Sequence, residues 1–113
     1  MQALIIKEDI KIEDMIYEVR GKQVMLDRDL AKLYKCNNGT KTINLAVKRH
    51  INRFPERFMF RLDKNEYYKI LRFQYETLEL ERGKYSKYLP YAFTEQGVAM
   101  LAIVLRTEVA EEY

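Results

Sequence analysis

The sequence predicts a small α+β domain, and three features predict it. Two short β-prone runs flank a glycine turn near the start of the chain. A further run, Arg57–Leu62, alternates apolar and polar-side residues as a half-buried strand does. Around these runs lie segments that open on helix-capping residues and repeat apolar side chains three and four apart. Together they specify a helix–turn–helix-like helix pair, short antiparallel strands or hairpins, and a buried C-terminal helix.

Residues 1–15 mix charge with aliphatics such as Ile10 and Ile12 and show no clear period, so they read as a leader able to add an edge strand. Ile16-Tyr17-Glu18-Val19 and Gln23-Val24-Met25-Leu26 form the predicted hairpin, with Arg20-Gly21-Lys22 at its bend because glycine supplies the positive φ of a tight turn. Asp27 is placed to cap a first helix, Asp29 favours its N-terminal dipole, and Leu30, Leu33 and Tyr34 share one face. Lys35–Gly39 is a polar turn in which Asn37-Asn38-Gly39 favours left-handed backbone. Thr40 caps a second helix reaching about Arg53, and Pro55 stops it.

In Arg57–Leu62, Phe58, Phe60 and Leu62 alternate with Arg57, Met59 and Arg61, giving an apolar side and a basic outer side. Asp63 and Glu66 have the spacing of a capping box for a third helix carrying Tyr67, Ile70, Leu71 and Gln74 at helical intervals. Thr77–Tyr91, bending at Arg82-Gly83-Lys84, reads as a second hairpin. Thr94 caps a last helix. Its Val98–Leu105 stretch is apolar on every side, so it belongs at the centre of the fold or against another subunit. These elements divide the chain into a leader (1–15), one domain (16–106) and the start of a C-terminal extension cut short at 113 (107–113).

A chain of 113 residues with 48% hydrophobic and 33% charged side chains is long enough to bury a core without disulfides or metals. The single cysteine, Cys36, excludes an internal disulfide and reads as a small packing residue in its turn. No signal peptide or long apolar run is visible, which makes the cytoplasm the expected location.

The formal net charge of +3 hides a concentration of one sign. Between Thr40 and Leu62 there are six Lys or Arg (Lys41, Lys48, Arg49, Arg53, Arg57, Arg61) against one acid, Glu56. Residues 1–39 balance seven basic against seven acidic side chains, so the positive field is a patch. Such a patch on a compact helix-then-strand unit is what a surface resting on phosphates requires.

Winding Thr40–Arg53 at 100° per residue puts Ile43, Ala46, Val47, His50, Ile51 and Phe54 on one side. Lys41, Asn44, Lys48, Arg49 and Asn52 fall on the other, with Leu45 among them. The cations suit phosphates, and the two amides are of the type that reads adenine edges in a major groove. Leu45 either meets a thymine methyl or packs on a neighbouring helix. Thr40, Lys41, Asn44, Lys48, Arg49, Asn52 and Arg53 are therefore candidate contacts to double-stranded DNA, joined by Arg57 and Arg61 on the strand. Lys84 and Lys87, interleaved with Tyr85 and Tyr88, would add a wing, although Glu76, Glu79 and Glu81 lie just before them.

Catalysis is not expected. His50, the only histidine, falls on the inward face and has no nucleophile pair, the acids are not grouped for a metal, and the four glycines stand apart from any phosphate-binding loop. The sequence thus calls for no cofactor, no metal, no small-molecule substrate and no membrane.

Four blocks, in order, are similar to the phage ORF-six N-terminal domain family, related to the KilA-N and Bro-N domains. The first is Val24-Met25-Leu26-Asp27-Arg28-Asp29-Leu30-Ala31 with Leu33-Tyr34. Thr40-Lys41 with Ala46-Val47-Lys48-Arg49 follows, then Arg53-Phe54-Pro55 with Phe58-Met59-Phe60. The last is Tyr88-Leu89-Pro90-Tyr91-Ala92-Phe93-Thr94-Glu95-Gln96-Gly97-Val98-Ala99-Met100-Leu101. The resemblance implies an α+β DNA-binding domain of phages and of bacteria carrying phage-derived genes, commonly joined to a variable C-terminal region in antirepressor-like regulators. This chain departs from the pattern in its longer Lys35–Gly39 turn and in Lys84-Tyr85-Ser86-Lys87, where the family is rich in glycine and arginine. The rival expectation is an adaptor that binds another regulator, with the basic face incidental and Val98–Leu105 offering a homodimer contact.

Overall fold

The computed structural model describes residues 11–74 and 88–111. It is an α+β fold in which a four-stranded antiparallel sheet is covered on both faces. The chain enters through a short 3-10 turn, Ile12–Met15, and makes the first hairpin from β1 (Ile16–Val19) and β2 (Lys22–Leu26). Arg20 (φ 55°) and Gly21 (φ 74°) alone form the bend, since Val19 already pairs with Lys22. Two consecutive positive φ values give the turn whose twist matches that of the strands.

β2 runs directly into α1 (Asp27–Leu33). Asp27 is the first helical residue and does not cap. The N-cap position belongs to Leu26, and no side chain bonds the helix start there. At the other end the amide of Cys36 donates to Ala31 and that of Lys35 to Lys32, with Lys35 itself at φ 55°. This is a Schellman ending in which lysine occupies the left-handed position usually given to glycine. The positive φ values of the turn thus fall on Lys35 and Gly39 rather than on Asn37 or Asn38.

α2 spans Thr40–Arg49; Gly39 holds its N-cap position, so Thr40 is the first helical residue and does not cap. It is shorter than the expected span to Arg53, because the backbone breaks at His50 and continues as a separate 3-10 turn, Ile51–Arg53. The expected inward face is correspondingly incomplete. Ile43, Ala46, Val47 and Phe54 are buried, whereas Ile51 is exposed. β3 (Met59–Arg61) and α3 (Lys64–Gln74) follow, and the capping box forms as its spacing predicts. The amide of Glu66 donates to Asp63 Oδ1 at 2.8 Å, and the amide of Asp63 donates to Glu66 Oε1 at 2.9 Å.

The central strand is one the periodicity did not single out. β4 (Tyr91–Thr94) lies between β2 and β3, giving the order β1-β2-β4-β3. Tyr91 therefore starts an interior strand instead of closing a second hairpin, and most of the expected Thr77–Tyr91 hairpin lies outside the described residues. α4 (Glu95–Glu111) leaves β4 with no intervening loop.

Alternate side chains of the sheet serve two cores. Met25, Met59 and Phe93, adjacent across the register, join Leu30, Ile43, Ala46, Val47, Leu101 and Val104 from α1, α2 and α4. On the opposite face Leu26, Phe60 and Ala92 join Tyr67, Ile70 and Leu71 of α3. Double coverage is why Met59 is buried and β3 lacks the continuous basic outer side its alternation suggested. In α4 the apolar stretch is likewise divided. Leu101 and Val104 are fully buried, while Ala99 and Ile103 face solvent.

Candidate functional site

α2 is the element on which the expected contact residues converge. Its buried set, Ile43, Ala46 and Val47, fixes its rotation, and that leaves Lys41, Leu45 and Lys48 exposed on the side away from the core. Neither lysine forms an ion pair among the described residues. Thr40 is half-buried at the start of the helix, and Asn52 and Arg53 are exposed in the turn that follows it.

Asn44 is not free to face a ligand. Its Nδ2 donates to the Tyr88 hydroxyl at 2.7 Å, and Tyr88 in turn donates to Asp27 Oδ2 at 2.5 Å. The same carboxylate oxygen accepts from the Tyr91 amide at 3.2 Å. This chain of bonds ties the middle of α2 to the start of α1 and the entry of β4. Asp27 is fully buried, and the loss of water pushes its carboxyl above the usual range, with the Tyr88 hydroxyl and the Tyr91 amide partly offsetting the shift. Burial, reinforced by the bond to Asp27, pushes the Tyr88 phenol up to about 12, so Tyr88 is a neutral donor at any physiological pH.

Arg61 belongs to the same neighbourhood. Its guanidinium lies 4.5 Å from the Tyr91 ring centroid and 5.6 Å from that of Tyr88, and it remains exposed. Aromatic faces hold a guanidinium by cation–π attraction without using its N–H donors. Through Tyr88, then, the structure brings Arg61 beside α2. Arg57, at the opposite end of β3, does not join them. It stacks 5.3 Å from the Phe58 ring and lines a surface groove with Lys22, Gln23, Glu95 and Gln96.

Arg49 is also diverted. Its Nη1 lies 2.6 Å from Glu108 Oε1, and His50 Nε2 is 3.3 Å from the other oxygen of that carboxylate. The inward position expected of His50 is thereby explained as a clasp between the end of α2 and α4. Lys84 and Lys87, the expected wing, lie outside the described residues. Of the six cations clustered in the sequence, Lys41, Lys48, Arg53 and Arg61 stay exposed, Arg49 is paired with Glu108, and Arg57 lies apart in the groove by Glu95.

Sequence reasoning missed the supporting residues Asp27, Tyr88, Tyr91 and Glu108. The first three stand in the blocks that resemble the family, but nothing in their local spacing announces a bond across the fold. Two further contacts were equally silent. Arg20 pairs with Glu66 at 2.8 Å while lying 4.3 Å from the Phe60 ring centroid, and Arg28 Nη1 donates to the Tyr67 hydroxyl at 2.7 Å.

These exposed cations sit on a four-block scaffold that a family model recognises as a whole. The chain belongs to the ORF6N domain family. The ORF6N domain model matches residues 14–104, which takes in every strand among the described residues and all but the end of α4. No curated protein and no solved structure matches the chain significantly. Among the described residues no helix is long and apolar enough to cross a membrane, and no three histidine, cysteine, aspartate or glutamate side chains are grouped to hold a metal ion.

Proposed function

We propose that this ORF6N domain is a sequence-preferring double-stranded DNA-binding module of a phage-derived, cytoplasmic transcriptional regulator or antirepressor-like protein, acting by binding rather than by catalysis. The observation that carries the reading is the outward side of α2. Lys41 and Lys48 stand exposed opposite a buried apolar set, and no acid occurs anywhere from Thr40 to Pro55. A helix about 10–12 Å across fits a major groove about 12 Å wide. α1 packs against α2, as the supporting helix of a helix–turn–helix pair would, and Arg53 and Arg61 are exposed cations that could add phosphate contacts. Membership of the ORF6N family, whose resemblance implies kinship with KilA-N and Bro-N DNA-binding domains, supports the same reading.

The test is a salt titration of binding to a duplex pool by the parent chain and by Lys41→Ala plus Lys48→Ala. Each lost phosphate contact should flatten the slope of log K against log salt by about 0.9. Unchanged affinity and slope in the double variant would remove α2 from the interface.

The exposed Ala99 and Ile103 on α4 favour a second reading, a protein-interaction adaptor or a homodimer joined through that helix. Sedimentation of the free chain, then mobility shifts on duplex pools, separates the two. Strong self-association without any shift favours the adaptor.

A further inference from the structure

We propose that Leu45 is the specificity-determining residue of α2 and that it reads the 5-methyl group of a thymine. The inference rests on the DNA-binding reading above and names what that site would recognise. At 100° per residue Lys41, Leu45 and Lys48 occupy a sector of about 60° directly opposite Ile43, Ala46 and Val47. Leu45 lies at the crest of the helix, with one lysine a turn before it and one a turn after, and it is 41% exposed. Among the described residues Leu45 belongs to neither core cluster, so of the two options its sequence position allowed the contact with a thymine methyl is the one taken up here.

Single exposed leucines are common on protein surfaces. This one is set apart by what surrounds it. Asn44, the adjacent amide suited to an adenine edge, has its Nδ2 committed to Tyr88, and its Oδ1 is buried without a hydrogen-bond partner. Asn52 lies beyond the end of α2, off its helical period. Lys41 and Lys48 are point charges on flexible stems, suited to the phosphates on either side of a groove. The side chain left to meet base edges at the crest is therefore apolar. A major groove presents a single apolar feature, the thymine methyl. Among the described residues α2 meets the core through Ile43, Ala46 and Val47, and Leu45 takes no part in it.

The test begins with a duplex selected from a random pool by the parent chain. It is resynthesised with each thymine in turn replaced by deoxyuridine, which removes the methyl and nothing else. Binding of the parent should weaken about fourfold at the thymine that Leu45 touches, the change expected for one buried methyl group. In Leu45→Ala that discrimination should vanish while the salt dependence stays as in the parent. Leu45→Gln, of similar size, should behave as the alanine variant does.

Equal binding of thymine and deoxyuridine duplexes at every position, or a selected site without thymine, would overturn the assignment of Leu45 and leave DNA binding intact. So would discrimination that survives in both variants. Failure of the parent to bind any duplex would overturn the underlying reading as well.

Discussion

Replacing Gly97 by alanine probes how closely α4 sits on the sheet that positions the basic helix. A Cβ at this position would stand 1.9 Å from the carbonyl oxygen of Phe58 and 2.8 Å from its carbonyl carbon. Non-bonded carbon and oxygen atoms settle at about 3.3 Å or more, so the first turn of α4 or the entry to β3 must move by more than about 1 Å. The Phe58 oxygen has little room to retreat. It accepts the Thr94 amide at 2.9 Å and the Thr94 hydroxyl at 3.2 Å, and the same hydroxyl receives the Gly97 amide at 3.3 Å. Overpacking of this kind costs about 1–3 kcal/mol, and loosening two hydrogen bonds adds about 1 kcal/mol each. Alanine returns about 1 kcal/mol through its better helix propensity. The expected net loss is about 3 kcal/mol, or a melting temperature lower by roughly 12 °C for a domain of this size. Urea unfolding followed by circular dichroism, with a thermal melt alongside, measures both. A variant within about 0.5 kcal/mol of the parent, at unchanged denaturant slope, would refute the reasoning.

Two further perturbations address the site. Glu108→Gln removes the carboxylate that holds Arg49, whose side chain is 61% exposed, so stability should change by less than about 1 kcal/mol. The freed arginine should strengthen duplex binding and steepen its salt slope by up to about 0.9, whereas an unaltered slope would mean that Arg49 never reaches a phosphate. Burial raises the folded-state pKa of Asp27, so its contribution to stability is fully present below about pH 4 and is lost as pH rises through the raised value. The stability of the parent relative to Asp27→Asn should therefore fall between about pH 3 and pH 7 in denaturant titrations, and a flat or rising difference would contradict the burial argument.

Elements built from neighbours in sequence were legible. The β1–β2 hairpin follows from two β-prone runs and one glycine. The α3 capping box follows from Asp63 and Glu66 three residues apart, and the α4 start follows from Thr94, whose hydroxyl receives the Gly97 amide. The buried face of α2 follows from a 3.6-residue period at Ile43, Ala46 and Val47. Where two local signals competed, the boundary was misplaced. Pro55 suggested a helix up to Arg53, but the backbone breaks at His50, whose imidazole is 3.3 Å from Glu108 of α4. Asp27 had the identity of a cap, yet its carboxylate turns inward because Tyr88 and the Tyr91 amide, more than sixty residues away, supply its hydrogen bonds.

Local signals along the chain were enough for the α+β class, the first hairpin, all four helix starts to within a residue, and the charge of one short segment. Dihedral preference, capping and hydrophobic period all act over a few residues, and these features need nothing more. Which of those charges remain open depends on contacts between elements far apart along the chain. The insertion of β4 between β2 and β3 brings Tyr88 and Tyr91 beside α2 and sends Arg57 to the far end of β3. The path of α4 lays Glu108 against Arg49. Each of these partners is set by strand order and helix packing, which no spacing along the chain encodes, and together they leave Lys41, Leu45 and Lys48 as the exposed crest of α2.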